Sequence, residues 1–128
     1  GLIWIGTYAG ISIFNPESEI QHYKSDPFDS TTISNNIVTA LYEDKDGATW
    51  IGTKYSGIDI LNRETDKIIN IGSSSGNNIL GDDDVYDIIG NENIIFIATN
   101  KGITIIDKKR KKYKKDGVFI FIRSVWYT

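Results

Sequence analysis

The chain has 128 residues, of which 40% are hydrophobic and 24% charged, with a formal net charge of −3, so it is neither poor enough in apolar residues nor charged enough for global disorder. It holds no cysteine, which excludes a disulfide framework and a cysteine-built zinc site. No apolar run approaches the ~20 residues a membrane-spanning helix needs, and no basic-then-apolar leader is visible.

Ile occurs 24 times and Val 4, against 4 Leu and 4 Ala. β-Branched side chains fit a pleated sheet and lose rotamer freedom in a helix, so the chain reads as all-β with short strands and almost no helix. In chain order, Trp4-Ile5-Gly6-Thr7 is a strand, followed by Gly10-Ile11-Ser12-Ile13-Phe14, a turn at Asn15-Pro16-Glu17-Ser18, and an outer strand around Ile20 to Tyr23. A polar linker runs from Ser25 to Asn36. Next come a strand at Val38 to Glu43, a tight turn at Asp44-Lys45-Asp46-Gly47, and the strand Trp50-Ile51-Gly52-Thr53. Gly57-Ile58-Asp59-Ile60-Leu61, a turn at Asn62 to Thr65 and a strand at Lys67 to Ile71 complete the unit. The third set is Val85 to Ile89, the turn Asn91-Glu92-Asn93, Phe96-Ile97-Ala98-Thr99 and Gly102-Ile103-Thr104-Ile105-Ile106.

These segments repeat. Trp4, Trp50 and Phe96 open equivalent strands, and both offsets are 46 residues. Each is followed by a glycine-led strand that ends at Asn15, Asn62 or Asp107. Four antiparallel strands recurring every ~40–50 residues are the mark of β-propeller blades. The predicted fold is therefore a partial β-propeller of about three four-stranded antiparallel blades, open rather than closed into a ring. Residues 1–24 form part of one blade, 37–72 a second and 83–115 a third, with an off-pattern segment at 116–128. In each unit the aromatic is expected to pack in the core, and in the two Trp-Ile-Gly-Thr copies Gly6 and Gly52 to let a neighbouring sheet approach closely, while Ala98 stands in that place in the third.

The stretches His22-Tyr23-Lys24-Ser25-Asp26-Pro27, Ile33-Ser34-Asn35-Asn36-Ile37-Val38 and Tyr42-Glu43-Asp44-Lys45-Asp46-Gly47-Ala48-Thr49-Trp50-Ile51-Gly52-Thr53 resemble the two-component regulator propeller repeat. The likeness is dense to about Gly72, looser from Asn77 to Asp107, and not recognisable beyond. The resemblance implies an extracytoplasmic sensor region, in the periplasm or at the cell surface, of a membrane-anchored bacterial signalling protein. In gut members of the family the signal is often an oligosaccharide. Because the sequence starts inside a unit, the chain is expected to be a segment of a longer parent.

No catalytic constellation emerges, and no enzyme is predicted. His22 is the single histidine, too few for a Ser-His-Asp relay with alternatives or for a multi-imidazole zinc site. Asp44-Lys45-Asp46-Gly47 begins like a calcium loop but lacks the further ligands, so a hairpin turn explains it better. Asp82-Asp83-Asp84 reads as a solvated loop ahead of a strand, since neighbouring strand residues point to opposite faces. A sialidase-type turn fails because Lys45 stands in its aspartate position.

Charge is uneven. Residues 1–107 carry 6 Lys/Arg against 16 Asp/Glu, a balance of −10, and residues 108–128 carry 8 against 1, a balance of +7. The basic run from Lys108 to Lys115 reads as a solvated edge or loop rather than a nucleic-acid surface, because no aromatic platform interleaves with it. Val118 to Thr128 either pairs with the preceding strand through a turn at Asp116-Gly117 or opens another blade.

The expected function is therefore non-catalytic ligand sensing, with a carbohydrate as candidate ligand. The expected binding residues lie on the second-to-third-strand loops and the inter-blade loops: Tyr8, Lys54, Tyr55, Asn100 and Lys101, with Asn35 and Asn36. The alternative is a scaffold or protein-interaction propeller without a small ligand. No cofactor, nucleic acid or membrane insertion is expected. The remaining partners are the parent's other blades and, for about 2.8 units on their own, further copies of the chain.

Overall fold

The computed structural model describes residues 1–76 and 79–109, together with the backbone of 112–115 and 118–121. Twelve strands appear in these residues: β1 Ile3–Thr7, β2 Gly10–Phe14, β3 Gln21–Tyr23, β4 Val38–Glu43, β5 Ala48–Thr53, β6 Ile58–Asn62, β7 Lys67–Ile71, β8 Val85–Gly90, β9 Ile94–Thr99, β10 Gly102–Asp107, β11 Lys112–Lys115 and β12 Val118–Phe121. One short 3-10 turn at Ser73–Ser75 is the helical exception among the described residues. No helix there is long and apolar enough to cross a membrane.

The strands form three antiparallel meanders, β1-β2-β3, β4-β5-β6-β7 and β8-β9-β10-β11-β12. Every neighbour in a sheet is its neighbour in sequence, so each pairing is closed by a short turn and no crossover is needed. The second sheet has the expected four strands, the first three and the last five. The fifth arises because Val118–Phe121 pairs antiparallel with β11, with Lys112 opposite Phe121 and Lys115 opposite Val118. That pairing settles the choice between a return strand and a new unit for these four residues. It also covers a strand edge whose N–H and C=O groups would otherwise lack partners. The remainder of 116–128 lies outside the described residues.

Strand alternation sends the apolar side chains of each sheet to two faces, and both faces of the middle sheet are buried. Toward the first sheet, Ile51 and Leu61 pack with Ile11, Ile13, Ile33 and Val38, flanked by Trp4 and Tyr23. Toward the third, Trp50, Ile58 and Ile60 pack with Val85, Ile88, Ile95, Ile97 and Ile106. The sheets are thus stacked in chain order, as propeller blades are.

The joints between sheets repeat. A Cβ on Gly6 would lie 2.8 Å from Val38 Cγ1, and one on Gly52 would lie 2.8 Å from Val85 Cγ1. Each glycine is thus the floor on which the first strand of the next sheet rests, which is the close approach expected of it. Trp50 is 1% exposed, and its indole Nε1 donates to Asp44 Oδ2 at 2.8 Å. Trp4 stacks on Tyr23 with ring centroids 6.4 Å apart, and the Arg63 guanidinium lies 4.9 Å above its ring.

Phe96 departs from the expected core packing and is 39% exposed. It occupies the same register place as Trp50, opposite Ile105 as Trp50 is opposite Ile60. That face of a sheet packs on the sheet that follows, and the third sheet's corresponding face meets none among the described residues. Ile89 and Ile103 are exposed beside it for the same reason.

Candidate functional site

The loops between the second and third strands of each unit gather the residues expected to bind. Their shape follows from the threonine that ends the Trp-Ile-Gly-Thr strand. Thr53 Oγ1 donates to Gly57 O at 2.8 Å and accepts from Ser56 N at 3.0 Å. Thr7 makes the same pair of bonds with Gly10 O and Ala9 N, and Thr99 with Gly102 O and Lys101 N. The turn is completed by a glycine at positive φ, 103° at Gly10 and 72° at Gly57. A side chain there would also collide, since a Cβ would lie 2.3 Å from Tyr23 O at Gly10 and 2.2 Å from Ile71 O at Gly57. Only glycine satisfies both conditions.

The first two loops are each tied to the linker entering the following sheet. Gly10 N donates to Asn36 O at 2.7 Å and Gly57 N to Asp83 O at 2.9 Å. From the other side, Lys54 N and Asn100 N donate to Ile37 O and Asp84 O, in the linkers entering their own sheets, at 3.0 Å each. The loops and linkers of the three units therefore form one hydrogen-bonded rim.

On this rim two tyrosines project. Tyr8 is 76% and Tyr55 61% exposed, each standing two residues before its glycine. Lys54 lays its ammonium 5.5 Å from the centre of the Tyr55 ring, within cation–π reach. An aromatic face with a neighbouring cation on a fixed backbone offers stacking and charge-assisted hydrogen bonding. Lys101, at the third loop, places its Nζ 3.8 Å from Asp82 Oδ2.

The side-chain oxygens of the asparagines among the expected residues are engaged within the protein, those of Asn35 and Asn36 by the backbone. Asn35 Oδ1 accepts from Ile37 N at 2.8 Å, while its Nδ2 reaches Ser56 Oγ at 3.4 Å. Asn36 Oδ1 accepts from Ser25 N at 2.7 Å. Asn100 Oδ1 accepts from Tyr86 OH at 2.9 Å. The structure thus brings Asn35 to the Tyr55 loop and Asn36 to the Tyr8 loop, but spends their side-chain oxygens on shaping the linker.

Asp82 and Asp83 occupy the same places one unit later. Asp82 Oδ1 accepts from Asp84 N at 2.8 Å, as Asn35 does from Ile37 N. Asp83 accepts from Ser73 N at 3.0 Å and from the Ser73 hydroxyl. The acidic triplet is the second copy of the asparagine pair, in a loop whose turns it caps. His22 Nδ1 lies 2.9 Å from Ser12 Oγ, its partner in cross-strand register. No carboxylate is hydrogen-bonded to that ring among the described residues.

Sequence reasoning missed two charged groups. Lys108, read with the basic run as solvated, is instead nearly buried, with Nζ 3.0 Å from Asp44 Oδ2 and 2.6 Å from Asp46 Oδ2. Burial works against its charge, but the bonds to Asp46 and Asp44 outweigh it and hold the ammonium above its ordinary pKa. Burial likewise opposes ionisation of Asp44. Bonds from Trp50, Lys108 and the Ala48 N–H prevail and leave the carboxyl below the usual range. Lys109 is exposed, and 110–115 lie outside the residues whose side chains are described. The second missed group is Asp59, fully buried in β6, whose carboxylate takes bonds from Ser34 N and Oγ at 2.7 and 2.9 Å and from Asn70 Nδ2 at 3.0 Å. Desolvation pushes its pKa up despite these bonds. The signal was a lone acid amid isoleucines in Ile58-Asp59-Ile60.

Residues 32–55 match the family described as two component regulator propeller. Among solved structures, the chain is similar to the extracellular domain of a putative hybrid two component system from B. thetaiotaomicron, with a TM-score of 0.75 and 22% identity. The match covers 96% of this chain and 17% of that one, so the chain spans about a sixth of the structure's length. No curated protein matches the chain. The likeness shows the propeller fold.

Proposed function

We propose that this chain is part of a ligand-sensing propeller in the extracytoplasmic region of a membrane-anchored, two-component-type bacterial sensor, and that it binds its ligand without transforming it. The observation that carries this reading is the pair Tyr8 and Tyr55. Two large aromatic rings are left exposed at equivalent positions of loops whose backbones are fixed by threonine, glycine and linker hydrogen bonds. Rigid presentation lowers the entropy lost on binding. Tyrosine faces beside amide and ammonium groups suit an oligosaccharide, which offers apolar ring faces and hydroxyls together. The family match and the extracellular, two-component description of the similar structure support the cellular setting.

Calorimetric titration of an oligosaccharide panel into the chain and its parent tests this. A binding sugar should lose about tenfold or more in affinity in the Tyr8→Ala/Tyr55→Ala variant, equal to about 1.4 kcal/mol. Unchanged affinity in that variant removes the rim from the site. A protein-interaction propeller is the second reading, favoured by the apolar face that Ile89, Phe96 and Ile103 leave exposed. It predicts pull-down of a protein partner that survives the tyrosine substitutions.

A further inference from the structure

The joint between the first and second sheets and the joint between the second and third share one backbone plan but differ in charge. Ser25 N donates to Asn36 Oδ1 at 2.7 Å, as Ser73 N does to Asp83 Oδ1 at 3.0 Å. Asn35 Oδ1 accepts from Ile37 N at 2.8 Å, as Asp82 Oδ1 does from Asp84 N at 2.8 Å. Lys54 N on Ile37 O corresponds to Asn100 N on Asp84 O. Strand register matches Tyr23 with Ile71, and so Lys24 with Gly72. From the first joint to the second, Lys24, Asn35, Asn36 and Lys54 thus become Gly72, Asp82, Asp83 and Asn100. The same backbone forms with either set, so the fold does not dictate the two ammonium groups of the first.

Residues 7–10, 23–25, 35–37 and 53–57, which meet at the first joint, include no Asp or Glu, although acids outnumber Lys and Arg 16 to 6 over residues 1–107. The flanking acids are turned elsewhere, Asp26 to Phe28 N and Asp59 to Ser34 and Asn70. Gly10 N and Lys54 N bond the consecutive carbonyls of Asn36 and Ile37, which sets the Tyr8 loop beside the Tyr55 loop. The Lys24 stem lies along the first of these, its Cγ 3.4 Å from where a Cβ on Gly10 would stand. Neither Lys24 nor Lys54 forms an ion pair among the described residues. Asn36, whose oxygen serves Ser25 N, has no acceptor for its Nδ2 there. Donors without acceptors therefore collect at this joint, which is the complement of an anion.

We propose that the first joint recognises the anionic group of an acidic sugar, and that Lys54 sets the preference for it over neutral sugars. This rests on the reading of the tyrosine rim as an oligosaccharide site and gives that ligand its charge. Lys54 holds its ammonium 5.5 Å from the centre of the Tyr55 ring, beside the surface on which a sugar would stack. One residue thereby supplies the apolar platform and its neighbour the charge-assisted donor. Lys24 adds positive potential from the Tyr8 side. At the second joint the carboxylates of Asp82 and Asp83 stand where Asn35 and Asn36 stand in the first, and would repel the same ligand.

Calorimetric titration of matched trisaccharides into the chain tests the proposal. In the gluco, galacto and manno series, the neutral sugar is compared with its uronate and its 6-sulfate, which also tells carboxylate from sulfate. An acidic form is expected to bind at least ~10-fold tighter than its neutral counterpart at low salt, the scale of one charge-assisted hydrogen bond. That margin should shrink as salt screens it. Lys54→Gln should remove most of the margin while affinity for the neutral form holds, which a folding defect would not do. Asn35→Asp/Asn36→Asp writes the second joint's carboxylates into the first and should weaken the acidic form at least ~10-fold relative to the neutral one. Should that double variant unfold, Lys54→Gln decides alone. Equal binding of acidic and neutral forms, or an acidic preference that survives Lys54→Gln, overturns this assignment and leaves the oligosaccharide reading of the rim standing. Absence of binding by every sugar, neutral and acidic, overturns both.

Discussion

Lys108, in the turn after β10, places its ammonium 3.0 Å from the carboxylate of Asp44, in the turn after β4, so two residues 64 positions apart join the third sheet to the second. Asp44 is also the acceptor of the Trp50 indole and of the Asp46 and Ala48 N–H groups. One carboxylate thereby closes its own hairpin, holds the core tryptophan and receives the neighbouring sheet. Truncating Lys108 to Ala should destabilise the chain by about 2 kcal/mol, below the ~3–5 of a fully buried pair because those donors to Asp44 remain and Asp46 is exposed. Urea unfolding at neutral pH checks it, and Lys108→Arg should recover part of the loss.

Three buried or part-buried groups with shifted pKa values act on the pH dependence with different signs. Asp44 is held below the ordinary carboxylate range, so its stabilisation is present above about pH 4 and is lost as pH falls through its folded value. Lys108 is held above the ordinary lysine value, so its contribution is complete below that value and is lost as pH rises through the folded one. Asp59 is raised by burial, so it disfavours the folded state once ionised. The wild type should therefore lose stability relative to Asp59→Asn as pH rises from about 4 through the Asp59 folded value. Denaturation midpoints across mildly acidic pH measure the difference. A constant difference would show that Asp59 does not titrate there.

Gly52→Ala should cost about 1–3 kcal/mol by overpacking, because its new methyl would meet Val85 Cγ1 at 2.8 Å and Ala40 Cβ at 3.2 Å. The double variant Gly52→Ala/Val85→Ala should cost less than the two single changes summed, since the second makes room for the first. Thermal melts of the four chains give the coupling directly.

The exposed end faces predict association. Ile3, Ile5 and Phe14 on the first sheet, and Ile89, Phe96 and Ile103 on the third, are apolar surfaces of the kind buried at both internal joints. Joining one such face to the other is a head-to-tail contact, which extends rather than self-saturates unless a ring closes. Sedimentation should show concentration-dependent oligomers, and Ile103→Lys should reduce them. A monodisperse monomer over a wide concentration range would contradict this.

The strands were readable because their signals are local. Val38–Glu43 and Lys67–Ile71 fall where alternation and turn residues place them. The use of Gly6 and Gly52 followed from the repeat, which marks what each unit does to its neighbour. Phe96 was misjudged because its place in the pattern is local but its burial depends on a following sheet. Lys108 was hidden by the charges beside it, and its partner lies far away in sequence. For the rim, sequence located Tyr8 and Tyr55. It did not reveal that Asn35 and Asn36 answer backbone N–H groups, because loop asparagines look alike until their partners are folded in.

The recurring joint bears on how such a chain changes its length. Gly6 receives Val38 as Gly52 receives Val85, and Gly10 is tied to Asn36 as Gly57 is to Asp83. A duplicated unit of the first or second kind therefore arrives with a socket for its successor and a plug for its predecessor, while the third carries Ala98 where the socket glycine stands. Gene duplication can insert or remove a whole unit without any new interface being invented, whereas a partial insertion leaves a glycine facing no valine. Evolution in such a chain is quantised, and specificity is free to drift at the loop tips while the seam chemistry stays common.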